Sequence, residues 1–463
     1  MASFDEEIEE IEEIEETRAS HENNETKETR MRMHEIDDRQ TTTPAHREKL
    51  PVYPWIVFAL TLGLVMSDYM SRQVLTAVFP LIKAAWHLSD TQLGSLNSVV
   101  ALLVGTLTLP LSLLAARWGH VKSIAVMAAL WSLATLGCAV STHYGEMLVA
   151  RALVGLGEAA YGAVAPALLL SVFPVSMRAS LFAAFTAGAS FGSVLGMAFG
   201  GMIAVHLGWP WSFASMGIFG LLLVIVFRVV VTEKRVSRYQ PGKVEGAPAA
   251  PGARATLRSL MSGLASSRSL VCAYLGSGLQ LFCTASLWAW MPSYLNRYYG
   301  MATGRAALTA AAFVMLSGVG MITCGLIADR ISKTRPVRKW DAAFLYCLTV
   351  FALLAIAFRL APGVWQLVLI GVAMFITSGT NGPGGAMVAN LTPRAIHASA
   401  FALLAITYNL LGTAPGPYFT GFLADRIGLH GALAYMPFVS LVAATAFFVG
   451  KRSYARDLAR IEA

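Results

Sequence analysis

Within residues 150–167, ARALVGLGEAAYGAVAPA, an arginine and a glutamate interrupt a run that is otherwise apolar and belongs to a segment long enough to cross a bilayer. Arg151, Gly155, Glu158 and Gly162 follow at i, i+4, i+7 and i+11, which puts them on one face of a helix. Ionisable groups at membrane depth are costly unless they face a protein interior or a wet cavity. The face therefore reads as the wall of a substrate or ion path. The alternative is an internal ion pair that only fastens helices together, since buried charge is weak evidence for stability.

A second charged set lies in the first apolar run, where Asp68 and Arg72 stand one helical turn apart with Tyr69 beside them. Carboxylates and arginines sharing a low-dielectric site can load and release a proton on small rearrangements. Arginine can also hold a carboxylate or phosphate through two parallel hydrogen bonds. On these grounds Glu158 is expected to be the proton-linked switch, paired with Arg151, with Asp68 as a second titrating group. Arg72 is expected to anchor an anion, with Arg151, Tyr69 and Tyr161 as further cargo contacts.

The elements that must position these groups are long and apolar. The chain has 463 residues, of which 56% are hydrophobic and only 13% charged, against about 25% charged in a soluble domain. After residue 50 about twelve apolar runs appear, approximately 54–81, 91–115, 122–141, 145–172, 178–205, 210–231, 270–296, 305–328, 341–359, 363–391, 396–424 and 430–450, each near the ~20 residues that span a bilayer. Backbone groups must be satisfied within each span, so the chain reads as an all-α polytopic membrane protein of twelve transmembrane helices.

Five cysteines, Cys138, Cys272, Cys283, Cys324 and Cys347, lie in apolar segments without CxxC or Cys/His spacing. They read as packing residues and support neither a disulfide framework nor a metal site. The net charge of +8 is explained by topology rather than by a nucleic-acid partner. Arg and Lys concentrate in 228–268, 330–339 and 451–460, whereas the alternate loops hold few, Lys83, Arg297, Arg305, Arg359 and Arg426. The positive-inside rule then puts both termini and the central linker in the cytoplasm. In that orientation Arg72 lies about 6 Å outward of Asp68, and Arg151 about 10 Å outward of Glu158, at 1.5 Å per residue.

Residues 1–50 open with EEIEEIEEIEE and read as a solvated cytoplasmic tail; no apolar region follows a basic start, so no secretory signal is expected. A six-helix bundle is expected over 51–231, a Pro/Gly/Ala/Arg-rich cytoplasmic linker over 232–269 with a basic surface helix near Leu257–Leu264, a second bundle over 270–450 and a basic tail over 451–463. Four span ends share one pattern: SLLAARWG (112–119), GMIAVHLG (201–208), GLIADRIS (325–332) and GFLADRIG (421–428). They follow the second, fifth, eighth and eleventh runs, so the unit is three helices repeated four times. Two halves built of inverted three-helix repeats form a transporter layout with its binding site at the midplane.

These motifs give the chain a specific likeness. The 6+6 plan, the Asp-Arg turn after the eighth run and RALVGLGEA make it resemble a major facilitator superfamily transporter, over roughly residues 52–450. DYMSRQVLTAVFPLIK, LSDTQLGSL and ALLAITYNLLGTAPGPYFTGFLAD are similar to the bacterial spinster-like branch and, less closely, to the anion:cation symporter branch. The resemblance implies conformational-motif roles for Arg117, Gly119, Asp329, Arg330, Asp425 and Arg426. Two departures stand out. Ser112 and Ala116 replace the family's Gly and Asp in the first motif, which weakens the expected cytoplasmic lock of that half, and Ser71-Arg72 replaces the Asp-Arg of the first span. Asp68 is the candidate substitute for the missing carboxylate.

The second-half spans contain almost no ionisable residue away from their ends, and offer Gln280, Trp288, Asn381, Tyr408 and Asn409 as cargo contacts. Trp288 and Trp290 cannot share a helical face and also suit an interfacial belt. Asn381 lies in TSGTNGPGG, where Gly and Pro interrupt a span, and GASFGSVLGMAFGG in the fifth span is suited to close helix packing. The expected activity is alternating-access transport of an organic anion or anionic amphiphile, coupled to protons, by a monomer in a bacterial inner membrane. Sugar acids and lysolipid or sphingoid cargo are the two classes the likeness implies. No cofactor is expected beyond the coupling proton. A membrane enzyme would need a motif such as HExxH or a Walker loop, and neither occurs. A sensor built on a transporter scaffold would rest on the acidic tail alone.

Overall fold

The computed structural model describes residues 51–174, 177–239, 267–393 and 396–462. The expected tail over 1–50 and the surface helix near Leu257–Leu264 lie outside the described residues. Every regular element among the described residues is helical. The first half comprises α1 (Val52–Trp86), α2 (Asp90–Trp118), α3 (His120–Val140), α4 (Tyr144–Glu158 continued by Tyr161–Val172), α5 (Arg178–Leu207) and α6 (Trp209–Val230), followed by a short helix, Glu233–Ser237. The second half comprises α7 (Arg268–Tyr299), α8 (Thr303–Ser332), α9 (Arg338–Ala357) and α10 (Val364–Thr377 and Asn381–Asn390 around a 3-10 turn, Ser378–Thr380).

Ten of these helices are each long and apolar enough to cross a membrane, and the stretch 399–459 meets the same test as a bent pair. That stretch contains His397–Thr407, a π-helical turn Tyr408–Thr413, Pro415–Tyr435 and Pro437–Glu462. Inside it Gly428 has φ 78 and ψ 158. Gly119, the single residue between α2 and α3, has φ 89 and ψ 153, and Gly208, between α5 and α6, has φ 90 and ψ 157. These three glycines end three of the four sequence repeats, in a backbone region that only glycine enters readily. Gly428 therefore divides α11 (397–427) from α12 (429–462) as its counterparts divide their helices, completing the twelve. The remaining repeat, GLIADRIS, ends in Ser332, and there the chain leaves through Lys333 in helical geometry instead. The last helix shows no break at the boundary expected after residue 450; it runs unbroken to Glu462.

Two ends of the bundle can be told apart. The basic end holds the α2–α3 turn, the last turn of α6, the first turn of α7 and both ends of the bundle sequence; the far end holds the α1–α2 and α11–α12 turns. One buried apolar cluster joins both halves toward the far end, including Leu75, Phe79, Leu93, Trp290, Tyr294 and Ala307. A second cluster, with Leu270, Trp340, Val388, Leu404 and Phe447, belongs to the second half alone and lies toward the basic end. The far end is therefore the sealed one.

Small residues set the helix spacing that the fifth-span sequence implied. A Cβ on Gly192 would lie 2.6 Å from the Met66 carbonyl oxygen, and one on Gly196 would lie 2.5 Å from that of Met70. These close approaches hold α5 flat against the stretch of α1 that carries Asp68 and Arg72. Gly188-Ala189-Ser190-Phe191-Gly192 has the spelling of a hydrolase nucleophile elbow, but it lies within the continuous helix α5 rather than on a strand-to-helix turn.

Candidate functional site

Gly155 and Gly157 bring α4 against its neighbours, for a Cβ at either would meet the Val100 oxygen of α2 at 2.8 Å or the Trp131 nitrogen of α3 at 2.7 Å. Two residues on, α4 breaks. Glu158 is the last residue of its first helical piece, and the second begins at Tyr161. A broken span at membrane depth is tolerated where it is buried in protein or lines a cavity. Beyond the break Gly162 faces open space, with nothing within 4 Å of a built Cβ.

Glu158 pairs with Arg72, not with Arg151 as the sequence reading had it. Arg72 Nε donates to Glu158 Oε2 at 2.5 Å, and Nη2 of the same guanidinium forms the ion pair. The reason is axial: seven residues separate Arg151 from Glu158, about 10 Å of helix, more than the two side chains bridge. Arg151 turns elsewhere. It is fully buried, donates from Nη1 to the Ser71 oxygen at 3.1 Å and from Nε to the Leu96 oxygen at 3.2 Å. Charge-assisted bonds of this kind contribute roughly 1.5–3 kcal/mol each, so Arg151 fastens α1, α2 and α4 next to the residue that precedes Arg72.

Asp68 lies beside Glu158, its carboxyl within hydrogen-bonding reach, and is 5% exposed. Among the described residues Asp68 Oδ1, Glu158 Oε1 and Arg151 Nη2 have no protein hydrogen-bond partner. Tyr69 lies under the guanidinium of Arg72 at 5.6 Å. Of the ion-paired couple, the Arg72 side chain is 21% exposed and that of Glu158 only 2%. The cluster thus presents one face, Arg72, to its surroundings. Tyr161 does not join it; its ring packs on Trp131 and its hydroxyl donates to the Thr61 oxygen at 2.8 Å.

The second-half candidates are spread over α7, α10 and α11. Gln280 is buried and donates to the Thr377 oxygen at 3.3 Å, where α10 changes to its 3-10 turn. Asn381 follows that turn, as TSGTNGPGG suggested, and contacts Met321. Tyr408 and Asn409 open the π-helical turn; the Tyr408 hydroxyl lies near Ser277 and Gly384, and Asn409 faces Gly105 of α2. The interfacial-belt reading of the tryptophans fails. Trp290 is fully buried and donates to the Pro417 oxygen at 3.0 Å, and Trp288 donates to Ser317.

At the far end stands a constellation that sequence reasoning missed. Asp90, 3% exposed, accepts two hydrogen bonds from Arg297 of α7, at 2.6 and 2.7 Å, and one from Lys83 at 2.5 Å. In return Asp425 of α11 accepts from the backbone N–H groups of Asp90 and Thr91, at 2.7 and 2.8 Å, and from the Thr91 hydroxyl. A carboxylate at a helix N-terminus meets unpaired N–H groups and the positive end of the helix dipole. Each half therefore grips the other with one aspartate. The legible traces were Asp425 in its repeat motif and Ser89–Gln92, a capping box that marks where α2 begins.

The other motif residues do less across the halves. Asp329 pairs with Lys339 at 3.0 Å, Arg426 stacks on Phe422, and Arg117 and Arg330 are exposed. At the α2–α3 turn, where the first motif carries Ala116 instead of Asp, Glu233, just past α6, accepts from Val121 N at 2.9 Å.

Comparison with known proteins agrees with this architecture. Residues 61–338 match the sequence profile described as Major Facilitator Superfamily. The chain is 24% identical to the hexuronate transporter of Bacillus subtilis over 428 residues, covering 88% of this chain and 96% of that protein. It is 25% identical to a sphingosine-1-phosphate transporter of Danio rerio over 396 residues, 80% of this chain and 75% of the relative. Among solved structures, a bacterial homolog of the human lysosomal transporter Spinster, inward-facing and unoccupied, superposes with a TM-score of 0.77 at 17% identity, over 88% of this chain and 98% of that one.

Proposed function

The chain belongs to the Major Facilitator Superfamily and is a multi-pass membrane transporter, and from that premise we propose that it carries a small organic anion together with a proton. The observation that supports this most is the partly accessible guanidinium of Arg72 set on the buried carboxylate of Glu158. A cargo carboxylate reaching Arg72 competes with Glu158 for the same N–H groups. Glu158, displaced, stands beside Asp68 in a poorly solvated site, where two bare carboxylates repel and one added proton converts the repulsion into a hydrogen bond. Anion arrival and proton uptake are thus linked through one arginine. Asp68 serves as the second carboxyl in place of the one absent at Ser71, and Arg151 positions the α1 segment that carries Arg72. Cargo contacts at Tyr69, Gln280, Asn381, Tyr408 and Asn409 belong to the same reading.

The relatives bracket the cargo. One is named for a hexuronate and another for sphingosine-1-phosphate, and both ligands present an acidic group. A sugar acid is the first choice, because the hexuronate transporter aligns along nearly its whole length. In a bacterial cytoplasmic membrane with the basic end inward, both termini are cytoplasmic and the Asp90–Asp425 latch is the closed outer gate.

Thermal shift of the detergent-purified protein tests the cargo. Glucuronate or galacturonate is expected to raise the apparent melting temperature by mass action, more at pH 5.5 than at 7.5. Arg72→Ala is expected to weaken the response at least tenfold in concentration. Stabilisation by sphingosine-1-phosphate alone, against detergent controls, would instead favour the lipid class, and an unchanged response in Arg72→Ala would make that arginine structural.

A further inference from the structure

We propose that the basic end of the first half, around the short helix Glu233–Ser237, is a binding surface for the headgroups of acidic phospholipids. The helix is pinned in place. Val236 is 1% exposed, Tyr239 stacks on Tyr53 with ring centroids 5.2 Å apart, and Glu233 takes the Val121 N–H. Pinned so, it presents Lys234, Arg235 and Arg238 to solvent, next to exposed Arg228 on the last turn of α6 and exposed Arg117 and Lys122 at the α2–α3 turn.

None of these six cations forms an ion pair among the described residues. The one acid among them, Glu233, is already committed to the backbone of α3. The depth also fits. Arg228 lies between Ile225 and Val229, which are 59% and 71% exposed, so it leaves the lipid-facing stripe of α6 at the level where hydrocarbon gives way to headgroups. Trp118, half exposed, has the Lys122 ammonium 5.8 Å from its ring centroid, an arrangement suited to the membrane–water boundary. Unpaired cations beside a lipid-facing apolar surface attract anionic headgroups, and arginine grips a phosphodiester with two parallel N–H groups. Because Glu233 ties this helix to the α2–α3 turn, a lipid held here also steadies that turn.

The proposal stands apart from the cargo and is tested without it. The full chain is purified in a neutral detergent and titrated with phosphatidylglycerol or phosphatidylcholine, with native mass spectrometry counting bound lipid and a melting curve beside it. Phosphatidylglycerol is expected to bind at least tenfold more tightly and to raise the melting temperature by several degrees, which phosphatidylcholine does not. Lys234→Gln/Arg235→Gln/Arg238→Gln is expected to lose most of that preference, whereas Arg330→Gln/Lys333→Gln/Arg335→Gln, in the other half, keeps it. Equal binding of the two lipids would overturn the proposal, as would equal losses in both triple variants or the same shift from soluble glycerol phosphate. Should the first triple variant not fold, the single Arg228→Gln carries the test, with a partial loss expected and none contradicting the surface.

Discussion

Glu158→Gln is expected to abolish proton-driven accumulation in proteoliposomes while cargo-for-cargo exchange persists. The carboxamide fills the same space and still offers an oxygen to Arg72 Nε, which Glu158 Oε2 now receives at 2.5 Å. It cannot take up a proton when cargo displaces it. With one proton moved per monovalent anion, a gradient of one pH unit drives accumulation on the order of tenfold, since one unit corresponds to about 1.4 kcal/mol. In the variant that ratio should fall to unity, whatever the pH gradient. The measurement is radiolabelled glucuronate uptake with and without a pH gradient, beside counterflow at equal pH. Gradient-driven accumulation by Glu158→Gln would remove the residue from the coupling role and leave Asp68 as its sole carrier.

The second large effect is expected at the far end. Asp90→Asn removes the charge that holds Arg297 and Lys83 and leaves two cations facing a neutral amide. Losing one partner of a buried, hydrogen-bonded charge pair costs roughly 2–5 kcal/mol. The latch exists only while the two halves meet at this end, so its loss acts on that state alone. Even about 2 kcal/mol shifts the balance of states some 30-fold toward the form open at the far end. A cysteine at Ala424, 5% exposed beside the latch, reports the change in a Cys272→Ser background, the other native cysteines being buried. Labelling by an impermeant maleimide should speed up at least tenfold on Asp90→Asn. An unchanged rate would mean that the apolar contacts around Trp290 and Phe79, whose rings lie 5.4 Å apart, close this end without help from charge.

What the sequence disclosed followed from local rules. Asp68, Arg72, Arg151 and Glu158 stood out because charge inside an apolar run is expensive, and the structure puts them at one junction of α1 and α4. Gly119, Gly208 and Gly428 were visible as repeat ends, and TSGTNGPGG marked the break in α10. The Glu158–Arg151 pairing misled, although the seven-residue rise already argued against it. The break after Glu158 had no proline to announce it.

The latch was hidden for a different reason. Asp90 and Arg297 are 207 residues apart, and Asp90 and Asp425 335 apart. Asp425 stood out as a motif residue, but Asp90 and Arg297 looked like ordinary charges at helix ends, and only the packing of α2 against α11 and α7 makes the three partners. Glu233 was hidden likewise, since the backbone N–H of Val121 that it accepts lies 112 residues away in the chain.

The central claim is that anion and proton cross together through the Arg72–Glu158–Asp68 cluster. It is tested most directly by a pH-sensitive dye sealed inside proteoliposomes, with glucuronate added outside at equal pH. Acidification of the lumen is expected to begin with glucuronate addition, to track its uptake and to be absent in Glu158→Gln vesicles. Glucuronate uptake by the wild-type protein with no change in internal pH would contradict it.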